Sequence, residues 1–359
     1  MRTANFCSLL GRAMLLFLFT FAGNALWGQV QGSLQVGAKI PVIQLKDQDG
    51  NDRSFDSLKG PNGLLLLFNR SADWCPFCKS QMIDLESARQ HFEDKGIRVA
   101  TITYDSPAIL KAFSQRRNIH YTMLSDPDST TVDAFGIRNQ EATGHEVGIA
   151  IPNFYWVGPD GVIRQRHSED TLLNRVTADY FYETIFGAGS ALAASVPVVA
   201  KTPNLKLALT QSDQESAPGA RFKLTVRLEP GDDTHLYAPG AEVNGYHPVK
   251  LTLDPSNLYR AEPVLYPPST ILEFPTLKEK VPVFQSKTIV IEDVTAIRSP
   301  KTLPLFSAQP HLVIRGLLEY QACTSTVCFK PEKIPVEWSV DIKSTDLDTQ
   351  RVADELQRK

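Results

Sequence analysis

The sequence predicts an α/β domain followed by an all-β sandwich, on three observations. Leu64–Phe68 is apolar at every position and is followed by segments of helical periodicity. Beyond about residue 205 that periodicity gives way to short, β-branched, Pro-rich segments. Ile334, Val336, Trp338, Val340 and Ile342 alternate with Pro335, Glu337, Ser339 and Asp341. An unbroken apolar run fits a parallel strand covered on both faces. Period-two alternation fits a strand with one wet face.

The chain begins with Arg2 and Arg12 ahead of an apolar stretch that runs over residues 13–22, and no acid occurs before Asp47. With the small residues Gly23-Asn24-Ala25 behind it, residues 1–28 read as a secretory signal peptide cut after Ala25 or Gly28. About 10 apolar residues fall short of the ~20 that cross a bilayer. Cys7 leaves with the signal, so four cysteines remain in two close pairs. In the oxidising compartment expected for an exported chain (the periplasm, or outside the cell) both pairs can be disulfides. The formal charge is −3; loss of Arg2 and Arg12 from the 37 basic residues leaves 35 against 40 acids, or −5. That balance gives no footprint for nucleic acid or anionic lipid. No second apolar run reaches membrane length, so no stable membrane insertion is expected after signal removal.

Residues 33–186 form the α/β domain. After the apolar strand, Met82, Leu85, Ala88 and Phe92 follow helical spacing, with Gly96 as the stop. Residues 97–104 read as a strand, and Ser106-Pro107 opens a helix in the N-cap and first-turn arrangement. Residues 128–135 give a short helix closed by Gly136. Asn153–Val157 and 162–166 flank Gly158-Pro159-Asp160-Gly161 as a hairpin, and a last helix lies near 169–186. Helices then cover both faces of a sheet. Residues 187–204 carry no caps and no acids and read as a linker. The β-sandwich occupies 205–343, and 344–359 is a polar tail.

The chemistry is expected at Cys75-Pro76-Phe77-Cys78. Pro76 fits the first turn of a helix, where its missing N–H is no loss. Cys75 then sits at the helix N-terminus, where unpaired N–H groups and the macrodipole favour a thiolate. Cys78, one turn on, lies within reach to resolve a mixed disulfide on Cys75. Trp74 is expected to shield the pair and to leave Cys75 the more exposed sulfur. Two other readings stand beside this one. An inert clip closing so small a loop constrains the unfolded chain little. A Cys₄ zinc site requires Cys75, Cys78, Cys323 and Cys328 to converge from two domains. Redox activity is the preferred expectation, with no metal and no cofactor. The seven histidines are scattered, and His145 reads as a solvated loop residue. Asp49-Gly50 and Asp160-Gly161 lack the further oxygen ligands of a calcium loop.

Residues 35–185 resemble the thioredoxin-fold redoxins of the alkyl hydroperoxide reductase/thiol-specific antioxidant, peroxiredoxin-like group. The resemblance rests on "DQDGNDRSFDSLKG", "LLLLFNRSADWCPFCKSQ", "LSDPDSTTVDAFGI" and "IPNFYWVGPDGVIRQR". It implies a thioredoxin-like fold with Cys75 as nucleophile. It also puts Pro152 where thioredoxin-like proteins carry a cis-proline facing the cysteines. Peroxiredoxins precede the nucleophile with P-x-x-x-T/S-x-x-C, but here those positions hold Phe68 and Ala72. Their assisting arginine falls where this chain has Pro152. Without those donors the charge on a cleaved O–O bond is poorly stabilised, which points toward thiol–disulfide exchange.

Residues 205–343 resemble the N-terminal periplasmic domain of the thiol:disulfide interchange protein DsbD, in "YQACTSTVCFKPEK" and "YHPVKLTLDPSNLYRAEPVLYPPS". This implies an immunoglobulin-like sandwich in which Cys323 and Cys328 relay electrons, although four residues separate them here and not five. The function expected is that of an exported thiol–disulfide oxidoreductase acting on protein dithiols and disulfides. Cys323 and Cys328 would exchange electrons with the Cys75 site or with a partner, and an external thiol reductant, membrane-borne, would serve the chain. The alternatives are a thiol peroxidase and a binding module whose disulfides are structural.

Overall fold

A seven-stranded mixed sheet frames the first half of the chain in the computed structural model, which describes residues 32–168, 174–188, 190, 198–202, 204–275 and 278–343. The expected signal peptide and polar tail lie outside the described residues. The strands are β1 (Gln44–Asp47), β2 (Asp52–Ser54), β3 (Leu64–Phe68), β4 (Arg98–Thr103), β5 (Thr122–Ser125), β6 (Asn153–Val157) and β7 (Ile163–Ser168), in the order β2-β1-β5-β4-β3-β6-β7. β3 is buried along its whole length, parallel to β4 and antiparallel to β6. Its side chains divide between two cores. Leu65 and Leu67 pack with Met82, Leu85 and Phe181, whereas Leu64, Leu66 and Phe68 pack with Leu58 and Phe135. The helices supplying those layers are α1 (Phe55–Leu58), α2 (Pro76–Asp94), α3 (Pro107–Arg117), α4 (Thr130–Ala134) and α5 (Ala178–Phe186).

The local signals act as their chemistry requires. Ser106 accepts the N–H of Ile109 and Pro107 follows it, so α3 starts where the cap places it; it ends at Asn118, in the left-handed region at φ +53°. Of the last helix, expected near 169–186, residues 169–173 lie outside the described residues and α5 begins at Ala178. Arg175–Val176 is extended, and Thr177 caps α5 by accepting the N–H of Tyr180.

The second half is rich in strands arranged in sheets. One sheet holds Val198–Lys201, Leu205–Gln211, Ala220–Pro230, Thr288–Ala296 and Tyr259–Ala261. A second holds Glu215–Ser216, Glu332–Ile342, His311–Tyr320 and Lys250–Leu253. They share a core that includes Leu207, Phe222, Leu224, Ile314, Val336 and Trp338. In Glu332–Ile342 the alternation is realised: Val336, Trp338, Val340 and Ile342 are buried while Glu337, Ser339 and Asp341 are exposed. A third sheet joins Thr270–Phe274, Glu279–Phe284, His235–Tyr237 and Ala322–Cys323. A short helix, Leu303–Ala308, interrupts the strands and has no counterpart in the sequence reading.

The stretch read as a linker differs from that reading. Its residues Val198–Lys201 form a strand antiparallel to Leu205–Gln211. A strand needs a partner and not a cap, so lack of caps did not mean lack of structure. The halves are also joined directly. Arg175–Val176 runs parallel to Ala220–Arg221, and the Tyr180 hydroxyl donates to Asp293 Oδ2 at 2.8 Å. Lys223 Nζ lies 3.0 Å from the centroid of the Tyr180 ring.

Candidate active site

β3 ends at Phe68, and the chain turns through residues 69–74 into α2. Cys75 is the N-cap of that helix, extended at φ −89° and ψ 103°, and Pro76 occupies its first turn. Cys75 Sγ accepts the N–H of Cys78 at 3.2 Å. An N–H donated to sulfur stabilises its anion, and the positive end of the α2 dipole adds to this. Cys75 and Cys78 are disulfide-bonded, with Cα atoms 5.3 Å apart.

The approach loop is fixed by a buried carboxylate. Asp105 accepts from Ala72 N–H at 2.6 Å, from the Ser71 hydroxyl at 2.8 Å and from the Thr103 hydroxyl at 2.8 Å. Burial pushes its carboxyl up to about 6, with the charge of Asp73 adding to the rise, against the lowering effect of those donors. Ser71 Oγ also accepts the N–H groups of Asp73 and Trp74. The Ser71 hydroxyl and the N–H groups of Ala72, Asp73 and Trp74 are therefore engaged within the loop, and Ala72 itself presents only a buried methyl group.

Trp74 packs at the edge of the buried cluster that holds Cys75 and Cys78. Its Nε1–H donates to the Tyr104 hydroxyl at 2.7 Å, which donates to the His145 carbonyl at 2.9 Å. The His145 ring stands edge-on to Trp74 at 5.3 Å and the Arg70 guanidinium lies 5.4 Å from the Trp74 ring centroid. His145, read as a solvated loop residue, is exposed in the short turn Gly144–Glu146 and also meets the edge of Trp74. The expectation that Cys75 would be the more exposed sulfur is not met. Cys75 and Cys78 are both 0% exposed and lie in one buried cluster with Met82 and Leu85. Pro152 is buried ahead of β6, and Asn153 pairs with Phe68. That register places Pro152 at the sheet end where the cysteine loop departs.

The second pair is also oxidised, with Cα atoms 4.1 Å apart. Cys323 is 1% exposed in a strand beside His235, whereas Cys328 is exposed. The Tyr237 hydroxyl lies 3.4 Å from Cys328 Sγ and its ring stacks on Tyr246 at 4.2 Å. The structure does not bring the two pairs together. Tyr320, three residues before Cys323, pairs with Glu332 at one end of Glu332–Ile342. The α/β domain meets the other end, where Ile342 pairs with Ser216 and the Thr177 hydroxyl donates to Asp213. Ten residue steps at roughly 3.3 Å per step separate those ends by roughly 33 Å. Convergence into a four-cysteine site is likewise excluded in this arrangement.

Sequence spacing gave no hint of the junction chemistry. A cavity of about 500 Å³ lies between α2 and the β-rich half, lined by Phe77, Gln81, Asp84, Arg175, Asp213 and Ser216 among others. Burial pushes the Asp84 carboxyl up to about 7, even though Ala178 N–H donates to it at 2.7 Å. Asp213 is raised well above the ordinary value, first by burial and then by the charges of Asp84 and Asp179. At the first turn of α2, the Arg298 guanidinium sits 4.6 Å from the centroid of the Phe77 ring. Only Phe77 among these was visible beforehand, as a member of the cysteine motif.

Residues 36–166 match the model of the AhpC/TSA family. The chain is 30% identical over 105 residues to a protein named as a peroxiredoxin (bcp) in Coxiella burnetii, covering 29% of this chain and 68% of that protein. It is 31% identical over 147 residues to the chloroplastic peroxiredoxin Q of Suaeda salsa, covering 38% and 65% respectively. Among solved structures, peroxidoxin BcpB of Mycobacterium tuberculosis aligns at 17% identity with a TM-score of 0.38, over 45% of this chain and 99% of that one.

Proposed function

From the premise that the chain belongs, through residues 36–166, to the AhpC/TSA family of thioredoxin-fold thiol oxidoreductases, we propose that it exchanges disulfides with protein substrates at Cys75 and Cys78. The observation that carries this reading is a helix-capping Cys75 sulfur bonded to the N–H of the residue that would resolve it. In the reduced protein, the Cys75 thiolate attacks a substrate disulfide, and one substrate sulfur leaves as a thiolate. The Cys78 thiolate then attacks Cys75 Sγ, releasing the second substrate thiolate and forming Cys75–Cys78. The substrate gains two electrons, the pair loses them, and an external dithiol returns them. The reverse sequence oxidises a substrate dithiol.

A second reading, thiol peroxidase, is supported by the names of the relatives. It places Cys75 as the sulfur attacking peroxide oxygen. The engaged Ser71 hydroxyl and Ala72 N–H favour the first reading, because a departing hydroxide needs donors. Stopped-flow rates separate the two. Reduction of a peptide disulfide should far outpace oxidation of Cys75 by low-micromolar peroxide, and the opposite order makes the protein a peroxidase. A redox potential measured for each pair tests the binding-module alternative, because structural bridges tend to lie below about −300 mV.

We read the β-rich half as an immunoglobulin-like sandwich of the kind found at the N-terminus of DsbD, with Cys323–Cys328 as a second redox pair. Its exposed sulfur, Cys328, is the one an incoming thiolate would attack. Export to the periplasm and a membrane-borne reductant complete this reading. They rest on the sequence features at 1–28 and 320–333.

A further inference from the structure

We propose that Arg298, from the β-rich half, is a positioning residue of the Cys75–Cys78 site: by clamping Phe77 it holds the first turn of α2 closed over the disulfide. The inference rests on the redox reading of that pair. Phe77 lies between the two cysteines and directly after Pro76, so its ring moves with the turn that carries both sulfurs. It is half-buried and lines the junction cavity, so protein does not pack it on every side. The Arg298 guanidinium sits 4.6 Å from the ring centroid, within the range of a cation–ring attraction.

The clamp has a rigid base. Arg298 follows the strand Thr288–Ala296 in a short loop that is tied on both sides. Ile297 N–H donates to the Leu258 carbonyl at 2.8 Å, and Ser299 N–H donates to Thr302 Oγ1 at 2.9 Å. The Thr302 hydroxyl donates back to the Ile297 carbonyl at 2.6 Å. The guanidinium is thus presented from a fixed backbone, and it is itself half-buried. Trp74 is held independently, by Tyr104 on the α/β side. Of the two aromatic residues in the cysteine motif, Trp74 and Phe77, one is therefore controlled by the other half of the molecule. Access to the disulfide becomes a property of the two halves together.

The test is the rate at which dithiothreitol reduces each disulfide in the full chain, followed by timed alkylation and peptide mapping. Cys323–Cys328 serves as the internal reference. Arg298→Gln should speed reduction of Cys75–Cys78 roughly five-fold, the size that one partly desolvated cation–ring contact supports. The reference rate should stay unchanged, and the melting temperature should fall by no more than about 2–4 °C, the shift that loss of one such contact gives. Arg298→Lys, which keeps a cation over the ring, should restore most of the wild-type rate. Unchanged reduction of Cys75–Cys78 in Arg298→Gln overturns the clamp, as does equal acceleration of both disulfides or failure of lysine to rescue. The redox potential of Cys75–Cys78, measured on the same samples, tells this failure from failure of the function. A faster rate at the potential of a structural bridge keeps the clamp and removes the redox role. An unchanged rate at a catalytic potential does the reverse.

Discussion

Removing the resolving sulfur from each pair tests whether the chain relays electrons internally. In Cys78→Ser combined with Cys323→Ser, the remaining sulfurs are Cys75, the proposed attacker, and Cys328, the exposed member of its pair. If a flexible linker joined the halves, the second thiol would meet the first at an effective concentration in roughly the millimolar range. The structure argues otherwise, because the halves are tied by a strand ladder at Arg175–Val176 and Ala220–Arg221. The cysteine end of Glu332–Ile342 lies roughly 33 Å from the junction end, at roughly 3.3 Å per residue. A disulfide requires Cα atoms within about 7 Å. The local effective concentration is then near zero, and direct exchange within one chain is closed off in this arrangement. Under mild oxidation the double variant should give a Cys75–Cys328 bridge only between chains, with a yield that rises with protein concentration. Non-reducing electrophoresis and peptide mapping at two concentrations ten-fold apart read this out. A monomeric species carrying that bridge, in a yield independent of concentration, would refute the reasoning and restore an intramolecular relay.

Three further outcomes are expected. In the reduced protein, Cys75 should alkylate with an apparent pKa below the unperturbed value of about 8.5, and ahead of Cys78; faster labelling of Cys78 reverses the assigned roles. Asp105→Ala strands the Ala72 N–H and the Ser71 and Thr103 hydroxyls in a buried loop. It should cost about 3 kcal/mol in denaturant unfolding, and a loss under about 1 kcal/mol shows that the loop does not depend on this carboxylate. Stability should also fall with pH through Asp84. Its folded carboxyl is raised to about 7 from the ordinary 3.8, so the folded chain holds a proton that the unfolded chain releases. The contribution is complete below about pH 4 and is lost as pH rises through 7; the interval corresponds to roughly 4 kcal/mol. Asp84→Asn should flatten that part of the melting profile, and an identical profile in the variant removes Asp84 from the linkage.

The sequence by itself determined the parts of this molecule that are set locally. Leu64–Phe68 could only be a fully buried strand, since no face of it is polar. Ser106-Pro107 began a helix because one side chain caps an amide and the other residue lacks one. The same logic placed Cys75 at the start of α2 and Cys78 one turn inside, so the placement of the first pair was legible in the sequence. The alternation in 334–342 likewise fixed which face of that strand meets the core. Other features were decided only when distant segments met. Nothing near Asp84 in sequence says that Asp213 will face it, and nothing near Phe77 points to Arg298. The extended Val198–Lys201 carries no cap and no amphipathic pattern, and becomes a strand only because Leu205–Gln211 offers it a partner. The burial of Cys75 is likewise tertiary, in a cluster that takes in Phe113, Phe154 and Phe181. The separation of the two disulfides is the same kind of fact. Each pair is specified by its own short motif, but the distance between them is set by how the second half docks. That docking comes from backbone pairing and buried carboxylates spread across the chain, which act only through tertiary contact and leave no periodic signal in the sequence.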